Sequence, residues 1–386
     1  MTEYAQHQFS IYLQGLAGVK PSLPIAYDDL EAAAREALSP EAFGYVAGGA
    51  AEEETMRANR EAFRRWNIVP RMMRDIGNRN LSTTVLGTNM PAPVMIAPIG
   101  VMSIVHPEAE LAVARAARTL QLPMILSTAA EKCIEDVADA LGDSPRWYQL
   151  YWPDDRALTK SFVQRAEAAG YSAIVITLDT KLLAWRPRDL QNAFLPFLKG
   201  QGIGNYTSDP VFREGLEQPP ETDMMPAIGK WSELFSDKSV TWDDVSYIRE
   251  CTQLPIVLKG VLHPDDARLA IEHGVDGVIV SNHGGRQVDG SVGALEMLPE
   301  VVDAAAGHLS VLFDSGIRTG SDIIKAVALG ADAVLIGRPY VWGLGLAGEA
   351  GVEEVLRRLL ADFDLSVALC GAKTLSELNA DLLRKA

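Results

Sequence analysis

The chain has 386 residues, 48% of them hydrophobic and 22% charged, and its 35 Lys and Arg against 51 Asp and Glu give a formal charge of −16. That composition excludes a disordered or fibrous protein, and the length is enough to bury a full-sized core. So negative a charge opposes nucleic acid or anionic membrane as partners, because both reward clustered Lys and Arg.

In chain order, Tyr27–Leu38, Pro40–Val46 and Glu52–Phe63 have helical spacing, and Trp66–Pro70 with Leu81–Leu86 are expected to pair as a hairpin. Leu81–Val105 carries no charge, but Pro91, Pro93 and Pro98 interrupt it, so it reads as a turn and a buried strand rather than a membrane span. Eight short apolar runs follow: Val94–Ala97, Met124–Ser127, Trp147–Leu150, Ala173–Asp179, Pro255–Lys259, Gly277–Ser281, Val311–Asp314 and Ala333–Gly337. Segments with helical spacing, such as Pro107–Leu120, Asp155–Ala169, Pro264–His273, Ser321–Leu329 and Glu349–Leu360, separate them. Near-continuous apolar strands suit a parallel sheet covered by crossover helices. Lys259, Ser281, Asp314, Gly337 and Arg338 fall at or just past strand ends, where a barrel assembles its active site, and this selects a (β/α)₈ TIM barrel over a doubly wound sheet.

The expected layout is one domain: residues 1–90 as N-terminal helices and a hairpin under the barrel floor, 91–364 as the barrel, and 365–386 as a C-terminal helical segment. Between the fourth and fifth strands, Thr180 to Leu254 is an insertion of 75 residues. An insertion of that size on the catalytic face reads as a lid, centred on 187–240.

Cys133, Cys251 and Cys370 are far apart and form no CxxC pair, so neither a disulfide framework nor a zinc site is expected, and a reducing cytoplasm fits. The Met1-Thr2-Glu3-Tyr4 start lacks the basic and apolar regions of an export signal. His263, His273 and His283 are not spaced to share a metal, and no metal is expected.

The polar motifs carry the chemistry. Asp314-Ser315-Gly316-Ile317-Arg318 and Gly337-Arg338-Pro339 follow the seventh and eighth strands, the two loops that commonly bind phosphate in such barrels. Lys259 is delivered by an apolar run into the barrel mouth, where an ammonium either forms a Schiff base or holds negative charge on a cofactor ring. In Ser281-Asn282-His283-Gly284-Gly285-Arg286-Gln287, a base stands three residues from a carboxylate clamp, which suggests a small hydroxy or keto acid. Asp179 is placed to orient and charge-stabilise His283. Arg186 is the preferred partner of Arg286, with Arg188 read as structural, and Tyr151 aims a phenol into the same mouth. Gly343-Leu344-Gly345-Leu346-Ala347-Gly348 matches a dinucleotide fingerprint, but no strand follows it to carry the ribose-binding acid, so it is assigned to packing.

These motifs, with Leu258-Lys259-Gly260, Ala97-Pro98-Ile99-Gly100, Tyr148-Gln149-Leu150-Tyr151 and Thr177-Leu178-Asp179-Thr180, resemble the FMN-dependent L-2-hydroxy acid oxidase family over nearly the whole chain. Tyr45-Val46-Ala47-Gly48-Gly49, Trp185-Arg186-Pro187-Arg188-Asp189-Leu190, Asn205-Tyr206 and the long lid are most similar to its bacterial lactate 2-monooxygenase group. The resemblance implies FMN as cofactor, with backbone at Pro98, Ile99 and Gly100 facing the flavin and Ser127, Gln149, Thr177 and Ser281 hydrogen-bonding it. It further implies Lys259 near the pyrimidine end, Asp314 on the ribityl chain, and Ser315, Gly316, Ile317, Arg318, Gly337 and Arg338 around the phosphate. Tyr45, Tyr151, Arg186 and Arg286 would then bind substrate, with His283 as base.

The implied reaction is oxidation of L-lactate by O₂ with coupled decarboxylation to acetate, CO₂ and water. The alternative is an oxidase releasing the keto acid and peroxide. Gly100 resembles the monooxygenase pattern, in which a missing methyl changes the space above the flavin. Lys181, at the lid hinge, and Ser315, where the wider family has glycine, depart from the family pattern. A homotetramer or octamer is also implied. Two rival classes remain: a Lys259 Schiff-base aldolase, which would be colourless and trapped by borohydride, and a non-catalytic flavin-binding scaffold.

Overall fold

The computed structural model describes residues 3–386. Four helices precede the sheet: α1 (Glu3–Leu16), α2 (Tyr27–Ala37), α3 (Pro40–Ala47) and α4 (Glu54–Arg64). Helix α3 starts where Ser39 accepts a hydrogen bond from the Ala42 N–H with Pro40 at the first helical position, a start signal written in the sequence.

The short strands β1 (Trp66–Ile68), β2 (Thr83–Val85) and β3 (Thr88–Met90) correct the expected hairpin. Strand β1 does not pair with the Leu81–Leu86 region; it pairs antiparallel with β12 (Leu383–Lys385) at the far end of the chain, Ile68 opposite Leu383. The hairpin is β2 with β3, turned through Leu86 (φ 47°) and Gly87 (φ 76°). Two positive φ values in a two-residue loop match the twist of the strands, but leucine seldom adopts one, so the turn carried no sequence signal. The hairpin does lie under the barrel: Val85 and Met90 join the interior cluster, and Trp147 Nε1 donates to Thr88 Oγ1 at 2.8 Å.

Eight parallel strands close the barrel in sequence order: β4 (Val94–Ile96), β5 (Met124–Ser127), β6 (Arg146–Leu150), β7 (Ile174–Thr177), β8 (Ile256–Val261), β9 (Gly277–Val280), β10 (Ser310–Phe313) and β11 (Ala333–Ile336), with β11 pairing back onto β4. Alternate residues fill the interior, among them Met95, Ile125, Trp147, Val175, Val257, Ile279, Leu312 and Leu335. Their neighbours pack outward under the helices, which is why the strands read as unbroken apolar runs.

The crossovers are α5 (Ala109–Leu120), α6 (Ile134–Leu141) and α7 (Arg156–Ala168); the lid carries α8 (Pro187–Gln191), α9 (Gly204–Thr207), α10 (Pro210–Arg213) and α11 (Met225–Leu234). Then follow α12 (Val245–Cys251), α13 (Pro264–Glu272), α14 (Ala294–Ala305), α15 (Gly320–Ala328) and α16 (Arg338–Leu369). Helix α16 kinks at Ala347 and Gly348, and Gly343 lies backbone to backbone with Gly351: a Cβ at Gly343 would stand 2.4 Å from the Gly351 carbonyl oxygen. The GxGxxG match is thus a packing feature. The expected C-terminal helical segment holds only to Leu369; after Gly371, two 3₁₀ turns begun by Thr374 and Asn379 lead into β12, whose pairing with β1 takes the chain end into a sheet. No helix among the described residues is long and apolar enough to cross a membrane.

Candidate active site

At the C-terminal mouth of the barrel a cleft of about 1160 Å³, open to solvent, gathers residues from the loops after β4, β5, β6, β7, β9, β10 and β11, from β8, from the lid and from α3. Its lining includes Tyr45, Pro98, Ile99, Gly100, Tyr151, Arg186, Lys259, His283, Arg286, Asp314, Ser315, Gly316, Ile317, Arg318, Gly337 and Arg338. Ser127, Gln149, Thr177 and Ser281 lie beneath that lining as a polar floor. Ser127 Oγ donates to Gln149 Oε1 (3.0 Å), Gln149 Nε2 donates to Thr177 Oγ1 (2.9 Å), and Lys259 Nζ donates to Ser281 Oγ (3.1 Å).

Asp179 stands behind His283. Its Oδ1 is 2.8 Å from His283 Nδ1, with Thr180 Oγ1 3.3 Å from the same nitrogen. The carboxylate fits there because residue 260 is glycine at φ 105°: a Cβ would come within 2.9 Å of Asp179. Burial lowers the His283 pKa below its ordinary value, with Lys259 adding to the effect and Asp179 opposing it. For Asp179, burial favours the neutral acid, but His283 and Lys259 outweigh it and the pKa is lowered. The resting pair is therefore a neutral imidazole and an ionised carboxylate, with Nδ1–H donating to Asp179 and Nε2 left as the basic nitrogen.

His283 itself sits at φ 57°, followed by Gly284 at 64° and Gly285 at 76°. A left-handed backbone costs a side-chain-bearing residue roughly 1–2 kcal/mol, so the turn must be held by its surroundings. Ser315, also left-handed at φ 84°, does part of this: its Oγ accepts from the N–H groups of Asn282 (3.3 Å) and Gly284 (3.0 Å) and donates to Asp314 Oδ1 (2.8 Å). The departure from glycine at this position thus brings a hydroxyl that ties one loop to the next.

Lys259 is buried, which works against its charge, but Asp314, 3.3 Å away, and Asp179 outweigh burial and raise its pKa. A Schiff-base lysine needs the opposite shift, so a Lys259 ion-paired with Asp314 does not match the aldolase alternative. Burial pushes the Tyr151 phenol up to about 12, leaving it a donor at neutral pH.

Four guanidinium groups converge in two pairs. Arg186 donates to Gln287 Oε1 (2.7 Å) and the Arg286 carbonyl (3.1 Å), while Arg286 donates to the carbonyls of Tyr45 (2.6 Å) and Gly48 (2.7 Å). Burial, and then Arg186, push Arg286 down to about 9. Burial followed by Arg318 pushes Arg338 down to about 10. Arginine stays charged in proteins, so both shifts describe cation pairs short of anions. Arg188 instead pairs with Glu53 at 2.7 Å and does not line the cleft, whereas Arg186 does. Other histidines have structural employment: His263 caps α13 by accepting from the Asp265 N–H, and His273 stacks on Trp242.

Sequence reasoning missed Asn59, Thr55 and Asn282, which bind the His283 turn to α4. A polar residue on the buried face of α4 was the available signal, but its partner lies 223 residues away.

The FMN-dependent dehydrogenase family matches residues 34–385. The chain belongs to this family. An FMN-dependent alpha-hydroxy acid dehydrogenase of Penicillium citrinum is 43% identical over 386 residues (99% of this chain and 96% of the relative), and an L-lactate oxidase of Lysinibacillus sphaericus is 44% identical over 362 residues (94% and 93%). The crystal structure of mandelate oxidase superposes with a TM-score of 0.83 at 37% identity, covering 94% of this chain and 98% of that one.

Family membership makes FMN the cofactor, and the cleft fits it. Arg318 Nε is buried without a hydrogen-bond partner beside the Arg338 guanidinium and the glycine-bearing loops at Gly316 and Gly337, a donor set suited to a phosphate. The buried, charged Lys259 suits the electron-rich pyrimidine side of a reduced flavin.

Gly100 requires a refinement. A Cβ there would stand 2.5 Å from the Ala129 carbonyl oxygen and 2.7 Å from the Ala129 Cβ. The missing methyl does not leave a void over the flavin site; it lets the loops after β4 and β5 close together.

Proposed function

We propose that the chain oxidises a short L-2-hydroxy acid of the lactate class with O₂ and retains the keto acid until peroxide decarboxylates it, so that L-lactate and O₂ give acetate, CO₂ and water. The observation that carries this reading is that apolar residues of the lid, Leu183, Phe197 and Phe235, line the same cleft as His283 and Arg286. Phe235 packs on Tyr151 at 5.6 Å and on Trp231 at 5.1 Å, so an aromatic wall bounds the open cleft beside Tyr151, which supports retention of a small keto acid there.

FMN, when bound, supplies the two-electron acceptor for the substrate's α-hydrogen. The backbone at Pro98, Ile99 and Gly100 would face it, with Ser127, Gln149, Thr177 and Ser281 beneath. Lys259 and Asp314 would hold its ring and ribityl chain, and Ser315, Gly316, Ile317, Arg318, Gly337 and Arg338 its phosphate. Arg186 and Arg286 hold the substrate carboxylate through charge-assisted bonds, and the Tyr45 and Tyr151 phenols orient the hydroxyl. His283 Nε2 takes one proton, from the hydroxyl in a hydride route or from carbon in a carbanion route. Asp179 stabilises the imidazolium in both.

Product analysis in air with catalase present tests the reading. Acetate and CO₂ support retention, whereas stoichiometric pyruvate makes the enzyme an oxidase. That second reading is favoured by the 44% identity to an L-lactate oxidase. A homotetramer or octamer in the cytoplasm completes the proposal. The apolar Phe9, Tyr12 and Leu13 exposed on α1 and the three free cysteines support it.

A further inference from the structure

We propose that Asn59, on a helix outside the barrel, is a positioning residue that fixes the catalytic turn of His283 through Asn282; this rests on the reading of His283 as the base. The two amides meet face to face and reciprocally. Asn59 Nδ2 donates to Asn282 Oδ1 at 2.8 Å, and Asn282 Nδ2 donates to Asn59 Oδ1 at 2.7 Å. Asn59 is 2% exposed and Asn282 6%. Three further bonds from this pair go to the backbone of the same loop. Asn282 Oδ1 also accepts from the Gly285 N–H (3.1 Å), Asn282 Nδ2 also donates to the Val292 carbonyl (3.0 Å), and Asn59 Oδ1 also accepts from the Ala294 N–H (3.0 Å).

One amide pair therefore spans the loop from residue 282 to residue 294, with the three consecutive left-handed residues inside it. Such a backbone persists only when its surroundings over-determine it. Helix α4 is itself seated on the neighbouring loop: Arg60 Nη1 donates to the Gly316 carbonyl and to Asp322 Oδ2 (2.9 Å). At the other end of the helix, Thr55 Oγ1 donates to the Val288 carbonyl (2.9 Å) and accepts from the Ser291 N–H (2.9 Å). Helix α4 is thus a mount fixed to the phosphate loop through Arg60 and to the base loop through Asn59 and Thr55. The charged groups facing the imidazole, Asp179, Lys259 and Arg186, come from other elements, so loss of Asn59 changes where His283 stands without removing any of them.

The test uses the FMN-loaded enzyme carrying Asn59→Ala, and in parallel Asn59→Asp, which keeps the volume and the bond accepted from Ala294 should the alanine variant fold poorly. Displacement of a reacting group by about 1 Å costs on the order of 100-fold. We expect kcat for L-lactate to fall about 10- to 100-fold, with KM and flavin affinity changing less than threefold. The low-field proton signal of the His283 Nδ1–H bonded to Asp179 should shift or broaden, and the acid limb of kcat/KM should move up as the imidazole gains solvent. Wild-type kcat with an unshifted signal overturns the inference, as does lost activity with that signal and the acid limb unchanged. His283→Ala run beside them separates the two levels: if it keeps full activity, the base reading falls, whereas if it is inactive and both Asn59 variants behave as wild type, only the role of Asn59 falls.

Discussion

The His283 turn and the lid that faces it across the cleft are held by different means. The turn is gripped by Ser281, Ser315 and Asn59 in a strained, fully bonded backbone. The lid divides in two. Its inner half, Gly202 to Arg213, is bolted to the barrel: Asn205 Nδ2 donates to the carbonyls of Ser127 and Thr128, and Arg165 of α7 pairs with the buried Asp209 at 2.9 Å. The outer half that roofs the cleft combines aromatic contacts, such as Phe197 on Trp231 with ring centroids 4.6 Å apart, with a few backbone bonds, such as the Asp154 N–H to the Leu234 carbonyl and the Asp237 N–H to the Trp152 carbonyl (both 2.9 Å), and leaves Leu182 and Trp185 largely exposed. Directional bonds fix one geometry, while apolar stacking allows separation and return at modest cost. On this contrast we expect the base to stay in place and the roof, held by fewer directional bonds, to be the part that opens.

The sharpest break is at the rigid end. His283→Ala should lower kcat/KM for L-lactate by about 10² to 10⁴, the usual range for a general base, while FMN absorbance is retained. In the native enzyme the imidazole must be neutral to accept a proton, and burial has lowered its pKa. Activity should therefore rise with pH and level off with the acid limb below about 6.5, the ordinary histidine value. A pH–rate profile with its limb above that value would contradict the buried, neutral assignment. Next in size is the bolted half of the lid. Arg165→Met removes the cation that pairs with the Asp209 carboxylate, whose side chain has no exposed surface and keeps only its bonds from Ser161 Oγ and the Val211 and Phe212 N–H groups, and should cost about 3 kcal/mol, read as a lower urea midpoint.

What the sequence disclosed follows from the same division. The eight barrel strands were legible because each is a short unbroken apolar run, and Lys259, His283 and Asp314 because they stand where those runs stop. Arg186 and Arg188 could not be told apart by spacing with certainty; the Glu53 that occupies Arg188 belongs to a turn over a hundred residues earlier. The β2–β3 hairpin hid behind a leucine at positive φ, and the pairing of β1 with β12 joins segments about 300 residues apart. The amide clasp between Asn59 and Asn282 is of the same kind. Local pattern records what a residue does to its own backbone, and long-range satisfaction of buried polar groups leaves little trace in it.

The smallest effect on stability should carry the most information about the outer lid. Lys181, where the chain leaves the barrel, donates its Nζ to the Val240 carbonyl, where the chain returns, so one exposed side chain closes the base of the insertion. Removing an exposed lysine normally changes stability by no more than about 0.5 kcal/mol. Lys181→Met should therefore leave the urea midpoint and the flavin spectrum unchanged. If this strap slows opening, the fraction of turnovers ending in free pyruvate should still rise several-fold over the native enzyme with catalase present, because decarboxylation competes with release of the same keto acid. An unaltered ratio of acetate to pyruvate would place control of retention in the aromatic roof, at Phe197 and Phe235, rather than at the joint where the lid begins.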